Sequence, residues 1–160
     1  MIVMDLTQKE MIIRLSVALL IGAILGYERT KNRKPAGIRT HALVCISCTT
    51  VSMISAYGFA EFAQVRAMDP ARLIVGIITG IGFLGAGIIW KEGRGIHGLT
   101  TAANIWAVAG LGIAIGLGHF FLAAVTVFFI LTALRLSKIL NLIGVLPIDI
   151  EDKEEKQNED

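Results

Sequence analysis

The stretch 79–90 reads TGIGFLGAGIIW, and its glycines admit two incompatible readings. Gly80, Gly82 and Gly85 spell G-x-G-x-x-G, the spacing of a dinucleotide-binding loop. Such a loop needs a strand before it, a helix opening at the glycines and an acidic residue roughly 20 positions on for the ribose. Here residues 73–78 run into the glycines without a turn signal, and hydrophobic residues continue to Trp90. After Glu92 the next acid is Asp149. The nucleotide reading fails, and the glycines belong to an apolar segment.

The rest of the chain follows that segment. Of 160 residues, 54% are hydrophobic and 18% charged, with a mean hydropathy of +0.69. That is too little charge for a soluble domain. About 20 apolar residues wound as a helix cross the hydrocarbon core. Residues 40–60 and 73–90 are uncharged runs of that kind, and 95–134 contains no Lys, Arg, Asp or Glu. As one helix the last run would be about 60 Å long, twice the core thickness, so it folds back, with GLGHF (116–120) as the turn. The run 15–27 is short and is completed by residues 11–14, with Arg14 snorkelling outward. The expectation is an all-α membrane protein, a compact bundle of about five transmembrane helices at 11–27, 41–60, 72–90, 98–116 and 120–138. The N-terminus has no basic n-region or cleavage site, so no removable signal peptide is expected.

Lys and Arg in the short loops set the orientation. Arg29, Lys31, Arg33, Lys34, Arg39, Lys91, Arg94, Arg135 and Lys138 fall on one side of a five-span chain, against Lys9, Arg14, Arg66 and Arg72 on the other. The basic side is expected to be cytoplasmic, with the N-terminus outside and the C-terminus inside. Residues 1–146 form the membrane domain, and 147–160 an acidic, disordered cytoplasmic tail. Basic loops beside anionic lipid need no nucleic acid to explain them.

In lipid, small residues that let backbones approach matter more than apolar side chains. Gly22/Gly26, Gly76/Gly80 and Gly112/Gly116 are G-x-x-x-G pairs, and Gly82, Gly85 and Gly87 add to the third span. That span therefore reads as the crowded centre of the bundle, with a break near Gly80–Gly87 as the alternative. Asp69-Pro70 reads as its N-cap and first helical position, and Arg72 is placed to pair with Asp69. His41, Cys45 and Cys48 share one helical face; a soft-metal site is conceivable there, but small polar helix packing accounts for them better. Asn104 is the most polar side chain deep in the fourth span and should face the bundle, as a hydrogen-bonding partner or as the lining of a polar pathway. No carboxylate falls within the middle of any span.

GYER (26–29), AGIRTHALV (36–44), DPARL (69–73) and the run from ITGIGFLGAG through GLTTAANIWAVAGLGIAIGLG (78–118) together resemble the MgtC/SapB family of bacterial membrane proteins. The resemblance covers about residues 15–140 and is far more specific than a lone glycine pattern. It implies a five-span inner-membrane protein linked to magnesium homeostasis, growth in low magnesium and survival inside host cells. It further implies regulation of other membrane machinery, including the rotary ATP synthase, with a small magnesium transporter or channel as the alternative. Some members carry a soluble C-terminal domain, and this chain resembles a short form without it. Asn104 stands where Ser or Thr is expected in relatives. No catalytic residue, metal site or cofactor transfers. The candidate functional residues are Glu28, Arg29, Arg39, Asp69, Arg72, Thr100, Thr101 and Asn104. Expected partners are the bilayer, other membrane proteins and further copies of the chain.

Overall fold

A computed structural model describes residues 6–59, 69, 71–93 and 95–144. The expected acidic tail, Arg66, Pro70 and Arg94 lie outside the described residues. Helix α1 runs Gln8–Lys31, α2 Ile38–Tyr57, α3 Ala71–Ala86, α4 Leu99–Gly116 and α5 Phe120–Leu142. Between α3 and α4 lies an antiparallel hairpin, β1 (Trp90–Glu92) and β2 (Gly95–His97), in the register Trp90↔His97, Lys91↔Ile96, Glu92↔Gly95. Four of the helices, all but α3, are long and apolar enough to cross a membrane. The chain is a multi-pass membrane protein.

Local chemistry sets the helix ends. Thr7 and Glu10 form a capping box: the Glu10 N–H donates to Thr7 Oγ1 at 3.3 Å, and the Thr7 N–H to Glu10 Oε2 at 2.9 Å. This satisfies two donors that helix geometry leaves without intrahelical partners. Asp69 caps α3 as expected, its Oδ1 accepting from the Ala71 N–H at 2.9 Å. Arg72 meets Asp69 through its backbone N–H, which donates to the Asp69 carbonyl at 3.1 Å. The third span differs from the expected 72–90. After Ala86 the Ile88 and Ile89 N–H groups reach back only three residues, to Gly85 and Ala86, which tightens the helix end before the hairpin starts. The expected turn at 116–120 is present, with Gly118 at φ +84°.

The chain divides into two compact units, residues 1–127 and 128–160. In the first, α2 is the central helix: α1 and α4 both pack on it, and α3 packs on α4 and α2. The glycine pairs of α1 and α4 make those contacts. A Cβ added at Gly22 would lie 2.7 Å from Ala42 Cα, and one at Gly26 2.5 Å from Ile38 Cα. At Gly112 and Gly116 it would lie 2.6 Å from the Cys45 and Thr49 carbonyl oxygens. α2 receives them with small residues, burying Ala42, Cys45, Cys48, Thr49 and Ser52.

Two expectations are corrected here. The third span is not the crowded centre: among the described residues a Cβ at Gly76, Gly80 or Gly82 would meet nothing within 4 Å, and α3 buries only Ile81 and Gly85. Gly85 makes an ordinary contact with Ala102, and Gly87 faces only the carbonyls of its own turn. Arg14 does not snorkel outward. It is buried, donating to the Gly116 carbonyl at 2.6 Å and the Tyr57 hydroxyl at 3.2 Å, with its guanidinium 5.2 Å from the Tyr57 ring centre. A carbonyl at the C-terminus of α4 carries partial negative charge and lacks an intrahelical partner, so a buried cation is better satisfied there than at a lipid edge.

A buried polar cluster as candidate functional site

The last turn of α1 and the first turns of α2 and α4 meet at one end of the bundle. Each contributes polar side chains that a bilayer interior would penalise if they stood alone. Glu28 and Arg29 come from α1, His41 from α2, and Thr101 and Asn104 from α4; all are buried. Thr101 and Asn104 are three residues apart, so they share a helical face.

The contacts form a chain across the helices. Arg29 Nη2 donates to Thr101 Oγ1 at 3.0 Å, and Arg29 Nη1 lies 3.8 Å from Glu28 Oε2. Asn32 Nδ2 donates to Glu28 Oε1 at 2.6 Å. Asn104 Nδ2 stands 2.9 Å from His41 Nε2, while His41 Nδ1 stands 2.9 Å from the Gly37 carbonyl. One neutral tautomer satisfies both contacts: Nδ1–H donates to the carbonyl and Nε2 accepts from the amide. Among the described residues this leaves Asn104 Oδ1 buried without a hydrogen-bond partner, as is Glu28 Oε2. For the neutral Asn104 amide such an orphaned acceptor costs about 1–3 kcal/mol, whereas Glu28 Oε2 keeps Arg29 as an ion partner.

The cluster gathers only part of the expected set. Glu28, Arg29, Thr101 and Asn104 come together. Thr100, Arg39, Asp69 and Arg72 are exposed. Glu28 takes Arg29 as its ion partner, at 3.8 Å, and Arg39 instead lines a shallow cleft of about 320 Å³ with Thr30, Gly37, Ile38 and Thr40. His41, Cys45 and Cys48 share the face of α2 that packs on α4, as their spacing predicts. The His41 ring turns to Asn104 on α4, while Cys45 and Cys48 pack against Gly112. Both polar residues stand near the N-terminal ends of helices that begin on the same side, and that shared depth was the available signal. Among the described residues no group of three or more His, Cys, Asp or Glu side chains is placed to hold a metal ion.

A bundle of membrane helices sealed by glycine seams and pinned at one end by a buried polar cluster defines the class. Within that class the chain belongs to the MgtC family, whose family model matches residues 15–142. It is 40% identical over 130 residues to SapB of Bacillus subtilis strain 168, covering 79% of this chain and 56% of that protein. It is 41% identical over 113 residues to YhiD of Escherichia coli strain K12, described as a "putative magnesium transporter", covering 69% and 53%. It is 38% identical over 141 residues to MgtC of Salmonella typhimurium strain LT2, covering 88% and 58%. The chain thus spans little more than half the length of these relatives. No solved structure matches it.

Proposed function

We propose that this chain is a non-enzymatic protein of the bacterial inner membrane that supports growth in low magnesium by binding and regulating another membrane complex. One observation carries the reading. Of the three G-x-x-x-G pairs, two are used inside the chain against α2, while Gly76 and Gly80 have nothing within 4 Å among the described residues. Close backbone approach is what such pairs provide between membrane helices. The open α3 face suits a helix of another protein or of a second copy. The Lys and Arg of the short loops support an orientation with the N-terminus outside and the C-terminus in the cytoplasm.

A second reading, a small magnesium carrier, draws on the buried oxygens Glu28 Oε2 and Asn104 Oδ1 and on the description of YhiD. Against it stand the α1–α2 and α2–α4 seams, where backbones meet too closely for a water-filled path between those helices. The test is a photo-cross-linking residue at position 80 in native membranes, beside magnesium uptake by liposomes holding the purified protein. A polypeptide adduct formed at position 80, lost when Gly76→Leu is added, with no uptake above empty liposomes, supports the regulatory reading. Lipid adducts alone with saturable uptake would favour the carrier.

A further inference from the structure

The β1–β2 hairpin stands where a soluble loop between two spans was expected, and its side chains do not suit water. Trp90 is 45% exposed and Ile96 59% exposed, and Leu99, directly after the hairpin, is exposed as well. Strand alternation sets Trp90 and Ile96 on opposite faces, since Trp90 pairs with His97 and Ile96 with Lys91. A hairpin lying on a protein or membrane surface would bury one face and leave the other in water. This one shows a large apolar side chain on both.

The hairpin also has little freedom to leave the membrane edge. Three residues, 87–89, join it to α3, and Gly98 alone joins it to α4. Gly98 has φ +86°, and a Cβ there would collide with the Ile88 carbonyl and lie 3.3 Å from Ile89 Cα. The two connections therefore press against each other. The depth of the helix ends follows from helix rise. α3, with 16 residues, is about 24 Å long and α4, with 18, about 27 Å, both shorter than the roughly 30 Å hydrocarbon core. Centred in that core, the two helices stop about 2–3 Å short of its boundary, and with such short connections the hairpin base begins close to it.

We propose that the β1–β2 hairpin is seated in the headgroup layer of the bilayer, with lipid glycerol, carbonyl and phosphate groups around both of its faces. Trp90 is stacked on His97, with ring centres 5.5 Å apart and planes 21° apart, giving an apolar ring with a polar edge of the kind that settles at this depth. Lys91 is exposed and long enough to carry its ammonium to the phosphates while its stem stays among the acyl chains. This assignment is independent of which partner, if any, meets α3.

The experiment uses the full chain carrying Trp106→Phe, so that Trp90 is the sole tryptophan, in vesicles of brominated phosphatidylcholine with phosphatidylglycerol. Bromines near the glycerol end should quench Trp90 roughly twofold more than bromines near the methyl end, and aqueous iodide should quench it weakly. A nitroxide on Ile96→Cys provides a second variant, and the native thiols are buried away from the label. Its relaxation should respond to both oxygen and an aqueous nickel chelate, as at a headgroup depth. Strong iodide quenching with full nickel access at position 96 would overturn the proposal in favour of a water loop. Strongest quenching by the methyl-end bromines would overturn it in favour of a deeper insertion.

Discussion

Gly110 and Gly112 sit two residues apart on α4, and alanine at the two should act with different force. A Cβ at Gly112 would lie 2.6 Å from the Cys45 carbonyl oxygen and 2.7 Å from Cys48 Cβ, whereas one at Gly110 meets nothing within 4 Å among the described residues. Ordinary contact begins at 3.4 Å, so α2 and α4 must part by about 0.8 Å at that point to admit the methyl. Overpacking of this kind costs about 1–3 kcal/mol. Both substitutions gain the same intrinsic helix preference of alanine over glycine, about 0.8–1.0 kcal/mol, so their difference isolates the packing cost. Gly110→Ala should therefore stabilise slightly, and Gly112→Ala should lie about 1–3 kcal/mol below it. Reversible unfolding of both variants in mixed micelles, followed by helical circular dichroism, reads the two midpoints. Equal midpoints would show that the α2–α4 seam is not closed backbone to backbone, and the account of the bundle would fall with it.

Three further outcomes follow from the polar contacts and the charge pattern. Asn104→Leu should destabilise by about 1–3 kcal/mol, because it strands His41 Nε2 in a buried position; the same substitution in a His41→Leu background should cost measurably less, as a double-mutant cycle in the same unfolding assay would show. Arg14→Met should cost about 1.5–3 kcal/mol through loss of charged hydrogen bonds to Gly116 and Tyr57, whereas Arg39→Gln, at an exposed position, should stay within about 0.5 kcal/mol of the parent in thermal melts. Cysteine at position 31 should react with an impermeant maleimide only in inverted vesicles if the basic side is cytoplasmic, and reaction in intact spheroplasts would reverse the orientation.

Periodicity and composition carried much of this architecture and failed at identifiable places. Long uncharged runs marked α1, α2, α4 and α5, because a membrane-spanning helix needs length and apolarity and little else. G-x-x-x-G marks a helix that can be approached closely, but spacing alone does not say by what. Gly22/Gly26 and Gly112/Gly116 found α2, while Gly76/Gly80 found nothing among the described residues. The better signal for the centre was the receiving groove, Ala42, Cys45, Thr49 and Ser52, four small residues along one face of α2. The hairpin escaped notice because two strands of three residues are too short to show alternation. At the site, Glu28, Arg29, Thr101 and Asn104 stood out as polar residues in apolar surroundings. Their grouping with His41 depends on which helices touch, a tertiary fact that local pattern does not encode.

The central claim is that this chain acts through contact at its open α3 face and not as a conduit. Growth in low magnesium of cells carrying Gly80→Leu, with protein abundance and unfolding midpoint measured alongside, tests it most directly. Position 80 has free space among the described residues, so the larger side chain should leave abundance and midpoint unchanged. Growth should nevertheless fall toward that of cells lacking the protein. Parental growth at equal abundance and equal stability would mean that the α3 face meets only lipid, and would contradict the account.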